Sequence, residues 1–155
     1  MRRCLFLDRD GVINAAPPEG EYIRSWDEVR LLPEAVAWIR LFKAAGFLAI
    51  VITNQRGIAL GRMTEDELEA LHARMRAELA AQGARLDDIF YCPHAEGVCD
   101  CRKPLPGMVI EAQRKWDIDL DASLLIGDGE RDRRLAERCG IPFVLVRDGR
   151  VVEGG

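Results

Sequence analysis

Five short apolar runs, Cys4–Leu7, Phe47–Ile52, Ile89–Tyr91, Leu124–Ile126 and Phe143–Val146, alternate with longer segments whose apolar residues recur at helical spacing. This alternation restricts the fold more than any other feature, because short buried strands separated by helices close into a parallel sheet covered on both faces. The helical segments are punctuated accordingly. Pro33 opens a stretch with Val36, Ile39 and Phe42 on one face and Gly46 just beyond its end. Thr64 and Glu67 form a capping-box pattern ahead of Leu68, Leu71, Met75 and Leu79, with Gly83 as a stop. Further helices are expected from Pro106 to about Trp116 and from Glu130 to Cys139, the latter closed by Gly140. The predicted fold is α/β: a doubly wound, Rossmann-like parallel sheet, with residues 1–155 as one domain. A chain of 155 residues can bury a core unaided, so any metal would be a local device.

Sheets of this kind bind ligands beyond the carboxyl ends of their strands. The residues just after each apolar run therefore carry the functional reading. The first run leads into "DRDGVIN", whose Asp8 and Asp10 could divide labour, one attacking or binding metal and the other moving a proton. An isolated Asp-x-Asp is more often a polar turn. The second run leads into "TNQRGIA", where the Thr53 hydroxyl could donate to an anion. Lys103 is one of only three lysines, and its ammonium could neutralise a phosphoryl group. The fourth run leads into "GDGERD", where Asp128 and Asp132 are either oxygen ligands suited to magnesium or caps of the helix that follows.

The stretch "YCPHAEGVCDCRKPL" holds Cys92, His94, Cys99 and Cys101 in a Cys-x-His-x4-Cys-x-Cys set. Four such ligands suit tetrahedral zinc, with iron the alternative, and leave no open position for chemistry. No Cys-x-x-Cys spacing supports a thioredoxin-like redox role. Cys4 and Cys139, in apolar surroundings, read as core thiols, and His72 as a boundary residue without a partner nearby in sequence.

The formal charge of -4 argues against a nucleic-acid partner. The apolar run near the N-terminus is too short for a signal peptide or a membrane span, so neither membrane insertion nor export is expected. A reducing cytoplasm is the expected compartment, where clustered cysteines more often bind metal than pair.

Taken together, Asp-x-Asp-Gly-Val, then Thr, then Lys, then Gly-Asp-x-x-x-Asp resembles the four motifs of the haloacid dehalogenase superfamily of phosphatases, over Asp8 to Asp132. That resemblance implies a HAD-like fold without a large cap domain and a magnesium-dependent hydrolysis of a phosphate monoester through an aspartyl-phosphate. Asp8 would be the nucleophile and Asp10 the general acid/base. Thr53 and Lys103 would hold the phosphate, with magnesium bound by Asp8, Asp128 and the Asp10 backbone carbonyl. Within the superfamily, "FLDRDGVIN", "VITNQRGIALGRMTE" and "CPHAEGVCDCRKPLPGM" resemble the branch of heptose bisphosphate and histidinol-phosphate phosphatases, closer to the former. By that resemblance the loop at about 92–101 carries structural zinc, Asn54 and Gln55 border a small phosphorylated metabolite, most simply a sugar bisphosphate, and Arg102 recognises its phosphate or sugar. Arg56 stands where the family more often has a small residue, and Gly129 where it often has a basic one. A monomer is expected. The competing readings are a histidinol-phosphate phosphatase and a zinc-stabilised binding domain without catalysis.

Overall fold

The computed structural model describes residues 1–154. Its strands are β1 (Cys4–Leu7), β2 (Leu48–Asn54), β3 (Asp88–Cys92), β4 (Leu124–Gly127), β5 (Phe143–Arg147) and β6 (Arg150–Glu153). They form one sheet in the order β3-β2-β1-β4-β5-β6, parallel throughout except for the β5–β6 pair. The helices are α1 (Pro33–Ala44), α2 (Glu65–Ala81), α3 (Gly107–Trp116) and α4 (Glu130–Cys139). The doubly wound α/β expectation is met.

Side-chain alternation along the strands sorts the core into two layers. Cys4, Phe6, Leu48, Ile50 and Ile52 pack against Met108, Val109 and Ala112 of α3 and Leu135 and Ala136 of α4. Leu5, Leu7, Ala49 and Val51 pack on the other face against Ala35 and Ile39 of α1 and Met75 and Leu79 of α2. Truncating a fully buried member such as Ile50 to alanine removes about 2–5 kcal/mol of stability. No helix among the described residues is long and apolar enough to cross a membrane.

Several boundaries differ from the sequence reading. Phe47 lies outside β2: its amide donates to the Phe42 carbonyl at the end of α1, and the two rings meet edge to face at 4.9 Å. β2 instead runs two residues further, pairing Thr53 with Tyr91 and Asn54 with Cys92. The capping box of α2 is present as expected, with the Glu67 amide donating to Thr64 Oγ1 at 3.1 Å and the Thr64 amide to Glu67 Oε1 at 2.8 Å. Pro106 caps α3 rather than beginning it. β6 was not anticipated; all four of its residues are exposed, so no apolar run announces it. The Asp148–Gly149 turn that creates it has both residues at positive φ, the geometry of a tight hairpin.

The order of the strands decides where a ligand can sit. From β1 the chain passes to β2 on one side, while β4 lies on the other, so a crevice opens beyond the carboxyl ends of β1 and β4. Asp8 follows one strand and Asp128 the other.

Candidate active centre and cysteine–histidine cluster

Asp8, Asp10, Thr53, Asn54, Lys103, Asp128 and Asp132 line one open cleft of about 470 Å³, together with Gly129, Glu130 and Arg131. Residues up to 124 positions apart in sequence meet here because β1, β2 and β4 are neighbours. Two glycines make the approach possible. Gly11 has φ +84°, and a Cβ there would overlap the Asp128 carboxylate; a Cβ on Gly127 would overlap Asp132.

Lys103 is the electrostatic hinge of the cleft. Its ammonium, 3% exposed, lies 3.0 Å from Asp8 Oδ1, donates to Asp132 Oδ1 at 2.6 Å and donates to the Ile52 carbonyl at 3.1 Å. Burial opposes its charge, but Asp132 and Asp8 outweigh burial and push its pKa up. Asp8 also accepts the Arg9 amide at 2.8 Å. Burial raises the Asp8 pKa well above the usual range, Lys103 opposes the shift, and Asp132, Asp128 and Asp10 add to it. Burial and then Asp132 raise Asp128 to about 6. The ligand oxygens of Asp8, Asp128 and Asp132 lie within 4.8 Å of one another. One ammonium against three carboxylates leaves two negative charges uncompensated, an arrangement relieved by a hard divalent cation or by protons.

Asp132 is not the N-cap of α4. Gly129 occupies that position, while the buried Asp132 carboxylate holds Lys103 and accepts the Asp128 amide at 3.2 Å. The Asp10 carboxylate turns the other way. It receives Arg9 Nε and Nη2 at 3.0 and 2.9 Å, Asn14 Nδ2 at 3.0 Å and Gln55 Nε2 at 3.3 Å. Gln55, also donating to Thr53 Oγ1 at 3.0 Å, is buried and does not line the cleft. Asn54 accepts the Lys103 amide at 2.9 Å and donates to the Lys103 carbonyl at 3.3 Å, tying β2 to the loop that delivers the lysine.

Arg9 and Asn14 escaped the sequence reading. Arg9 is fully buried, although nothing but its place between two aspartates distinguishes it in the sequence. His72 is buried rather than at the boundary, with Nε2 3.1 Å from Arg9 Nη1. The partner lies 63 positions away, beyond any local pattern.

A second cleft of about 250 Å³ adjoins the first through Asn54 and Arg131 and is lined by Tyr22, Arg56 and Arg102. Arg56 donates twice to the Tyr22 hydroxyl, at 3.3 and 3.1 Å. Arg102 is 6% exposed, and its Nη1 is buried without a hydrogen-bond partner. Burial, then Arg131 and Arg56, lower the pKa of Arg102. Among the described residues none of the three arginines joins an ion pair.

Cys92, His94, Cys99 and Cys101 converge as their spacing predicts, with ligand atoms within 4.8 Å of one another. The sulfurs lie 2.8 to 3.4 Å apart, and His94 Nδ1 is 3.3 and 3.5 Å from two of them. Edges of about 3.8 Å follow from zinc–sulfur bonds of about 2.3 Å in a tetrahedron, so a modest expansion would admit such an ion. Burial and the neighbouring thiols raise the Cys101 pKa, whereas at Cys99 burial is outweighed by the Arg102 amide and the Cys101 and Cys92 thiols, giving a value of about 7. Cys4 is a buried core thiol, and Cys139 packs half-buried against the same core layer.

Comparisons with known proteins identify the relatives of this chain. Residues 100–152 match the HAD-hydrolase-like family. A D-glycero-beta-D-manno-heptose-1,7-bisphosphate 7-phosphatase of Rhodopseudomonas palustris is 42% identical over 149 residues, spanning 91% of this chain and 81% of that protein. A D-glycero-alpha-D-manno-heptose-1,7-bisphosphate 7-phosphatase of Photorhabdus laumondii is 38% identical over 95% of this chain and 84% of its own. The crystal structure of D,D-heptose 1,7-bisphosphate phosphatase from B. bronchiseptica, complexed with magnesium and phosphate, superimposes with a TM-score of 0.86 at 36% identity, covering 95% of this chain and 83% of that one.

Proposed function

Since the chain belongs to the heptose 1,7-bisphosphate phosphatase family of HAD-like phosphoric monoester hydrolases, we propose that it removes the 7-phosphate of a D-glycero-D-manno-heptose 1,7-bisphosphate and leaves the 1-phosphate in place. The observation that carries the bisphosphate reading is the pair of adjoining clefts. One holds a carboxylate–lysine centre fit for phosphoryl transfer, and the other gathers three arginines without carboxylate partners, Arg102 keeping a buried unpaired donor. A substrate with two phosphates answers both.

The chemistry assigned to the first cleft follows from its side chains. Asp8 attacks phosphorus, the bond to the leaving oxygen breaks, and Asp10 gives that oxygen a proton. Asp10 then takes a proton from the water whose oxygen attacks phosphorus, breaking the acyl-phosphate bond and restoring the Asp8 carboxylate. Lys103 and Thr53 neutralise and orient the phosphoryl oxygens. The buried carboxylate excess fits a magnesium ion held by Asp8, Asp128 and the Asp10 carbonyl, which when bound would offset the charge of nucleophile and phosphate. Asp132 acts through Lys103.

The cysteine–histidine cluster is assigned a structural zinc, four protein ligands leaving no position for substrate. Its role is to fix the segment that ends in Arg102 and Lys103. A reducing cytoplasm, where the thiols stay available to metal, and a monomeric state belong to the same reading. The bound sugar phosphate should be small, since the second cleft has only about 250 Å³.

A magnesium-dependent phosphate-release panel tests the proposal with the α and β heptose bisphosphates, heptose 7-phosphate and histidinol phosphate. The expected order places a heptose bisphosphate first, with kcat/KM at least about tenfold above heptose 7-phosphate because the second phosphate meets the arginines. Equal turnover of the mono- and bisphosphates, or preference for histidinol phosphate, would overturn it.

A further inference from the structure

We propose that His72, on α2, is a positioning residue for Asp10 that acts through the guanidinium of Arg9. The inference rests on the assignment of Asp10 as general acid/base. Arg9, between Asp8 and Asp10, is a wholly buried cation. A guanidinium offers five N–H donors and no acceptor, so burial obliges the fold to supply acceptors in its plane. Asp10 takes Nε and Nη2, and the acceptor at Nη1 is His72 Nε2, 3.1 Å away.

Because arginine can only donate, His72 Nε2 must carry the lone pair and Nδ1 the proton. Burial, followed by the Arg9 charge, lowers the His72 pKa to about 3, so the imidazole is a neutral acceptor throughout the physiological range. His72 thus serves as a fixed carbonyl-like acceptor at the outer end of the guanidinium. It lines a separate surface cleft with Glu69, Arg76 and Tyr91, apart from the one that holds Asp8. Direct contact with a substrate bound beside Asp8 is therefore not its role.

The consequence for Asp10 is geometric. Its carboxylate must reach the leaving oxygen in one half-reaction and water in the next, while remaining partly exposed at the cleft. Asn14 and Gln55 each contribute one donor to it, but Arg9 supplies the planar fork that sets its orientation. Anchoring Nη1 on His72 prevents that fork from rotating or sliding. Helix α2, packed on the sheet face that carries Leu5 and Leu7, is thereby coupled to proton transfer.

The experiment compares His72→Leu, which removes the acceptor, with His72→Gln, whose amide oxygen can replace it. Two substrates are used in magnesium: para-nitrophenyl phosphate, whose leaving group needs no proton, and an alkyl phosphate, whose leaving alkoxide does. For His72→Leu, kcat on the alkyl phosphate should fall about tenfold with KM changed less than about threefold, while the pre-steady-state burst of nitrophenolate keeps nearly its original rate. His72→Gln should recover kcat to within about threefold. The inference is overturned if His72→Leu leaves alkyl-phosphate turnover unchanged, if it slows the nitrophenolate burst as much as alkyl turnover, or if His72→Gln fails to recover while folded by circular dichroism. If the unsubstituted protein hydrolyses neither ester, the functional reading falls first and the inference with it; a defect confined to His72→Gln overturns the inference alone.

Discussion

The carboxylate–lysine centre and the cysteine–histidine cluster each gather side chains that could hold a metal ion, and both adjoin the carboxyl end of β2, yet they are opposites in construction. The centre gathers its carboxylates from the ends of β1 and β4 and from α4, and keeps an excess of negative charge facing an open cleft of about 470 Å³. The cluster draws all four ligands from ten consecutive residues, and its histidine faces solvent. An incomplete ligand set at a cleft leaves room for a reacting phosphate, whereas a complete set from one loop can only stiffen that loop. Asn54 joins the two, paired with Cys92 in the sheet and hydrogen-bonded to the Lys103 backbone.

The largest expected break in this comparison comes from Asp8→Asn. Phosphatase activity should fall by at least about 10³-fold, whereas zinc content and the circular dichroism spectrum should match the unsubstituted protein. Retained turnover would remove Asp8 from the chemistry. Cys99→Ser should do the converse: loss of zinc by atomic absorption, a lower melting temperature, and a roughly 10- to 100-fold loss of kcat/KM through displaced Arg102 and Lys103. Full activity with stoichiometric zinc would show that the cluster does not position the lysine.

A smaller effect, about tenfold, separates the two sites by pH. In the metal-free centre burial holds the Asp128 carboxyl near pKa 6, above its ordinary 3.8, so the folded state retains a proton that the unfolded chain releases in that interval. The contribution of this group to metal-free stability is therefore present at low pH and lost as pH rises through about 6. A magnesium ion held by Asp128, as proposed, would displace the same proton, so its affinity should weaken about tenfold between pH 7 and pH 5. Calorimetric titration of the zinc-loaded protein would measure it, and a flat profile would place the cation elsewhere.

Legibility differs between the two regions for a simple reason. The cluster's four ligands are local, so spacing alone brought them together, and Asp8 and Asp128 could be read from strand ends because a parallel sheet aligns such ends. The β6 hairpin was also written in the sequence, in the Asp148–Gly149 turn, but its exposed strand lacks the buried run by which the other five are recognised. Arg9, Asn14 and His72 had no comparable sign: each is an ordinary residue until the fold buries it.

The sequence by itself determined the layered α/β architecture, the order in which the polar residues meet the cleft, and the convergence of Cys92, His94, Cys99 and Cys101 in one loop, since all three depend on periodicity or short spacing. Only the tertiary structure decided that Asp132 holds Lys103 instead of capping a helix, that Gln55 faces Asp10, and that Arg56, Arg102 and Arg131 share one cleft. Those outcomes depend on which buried charges find partners across the sheet. Desolvation makes the pairing compulsory, but a linear chain does not display which strands will be neighbours.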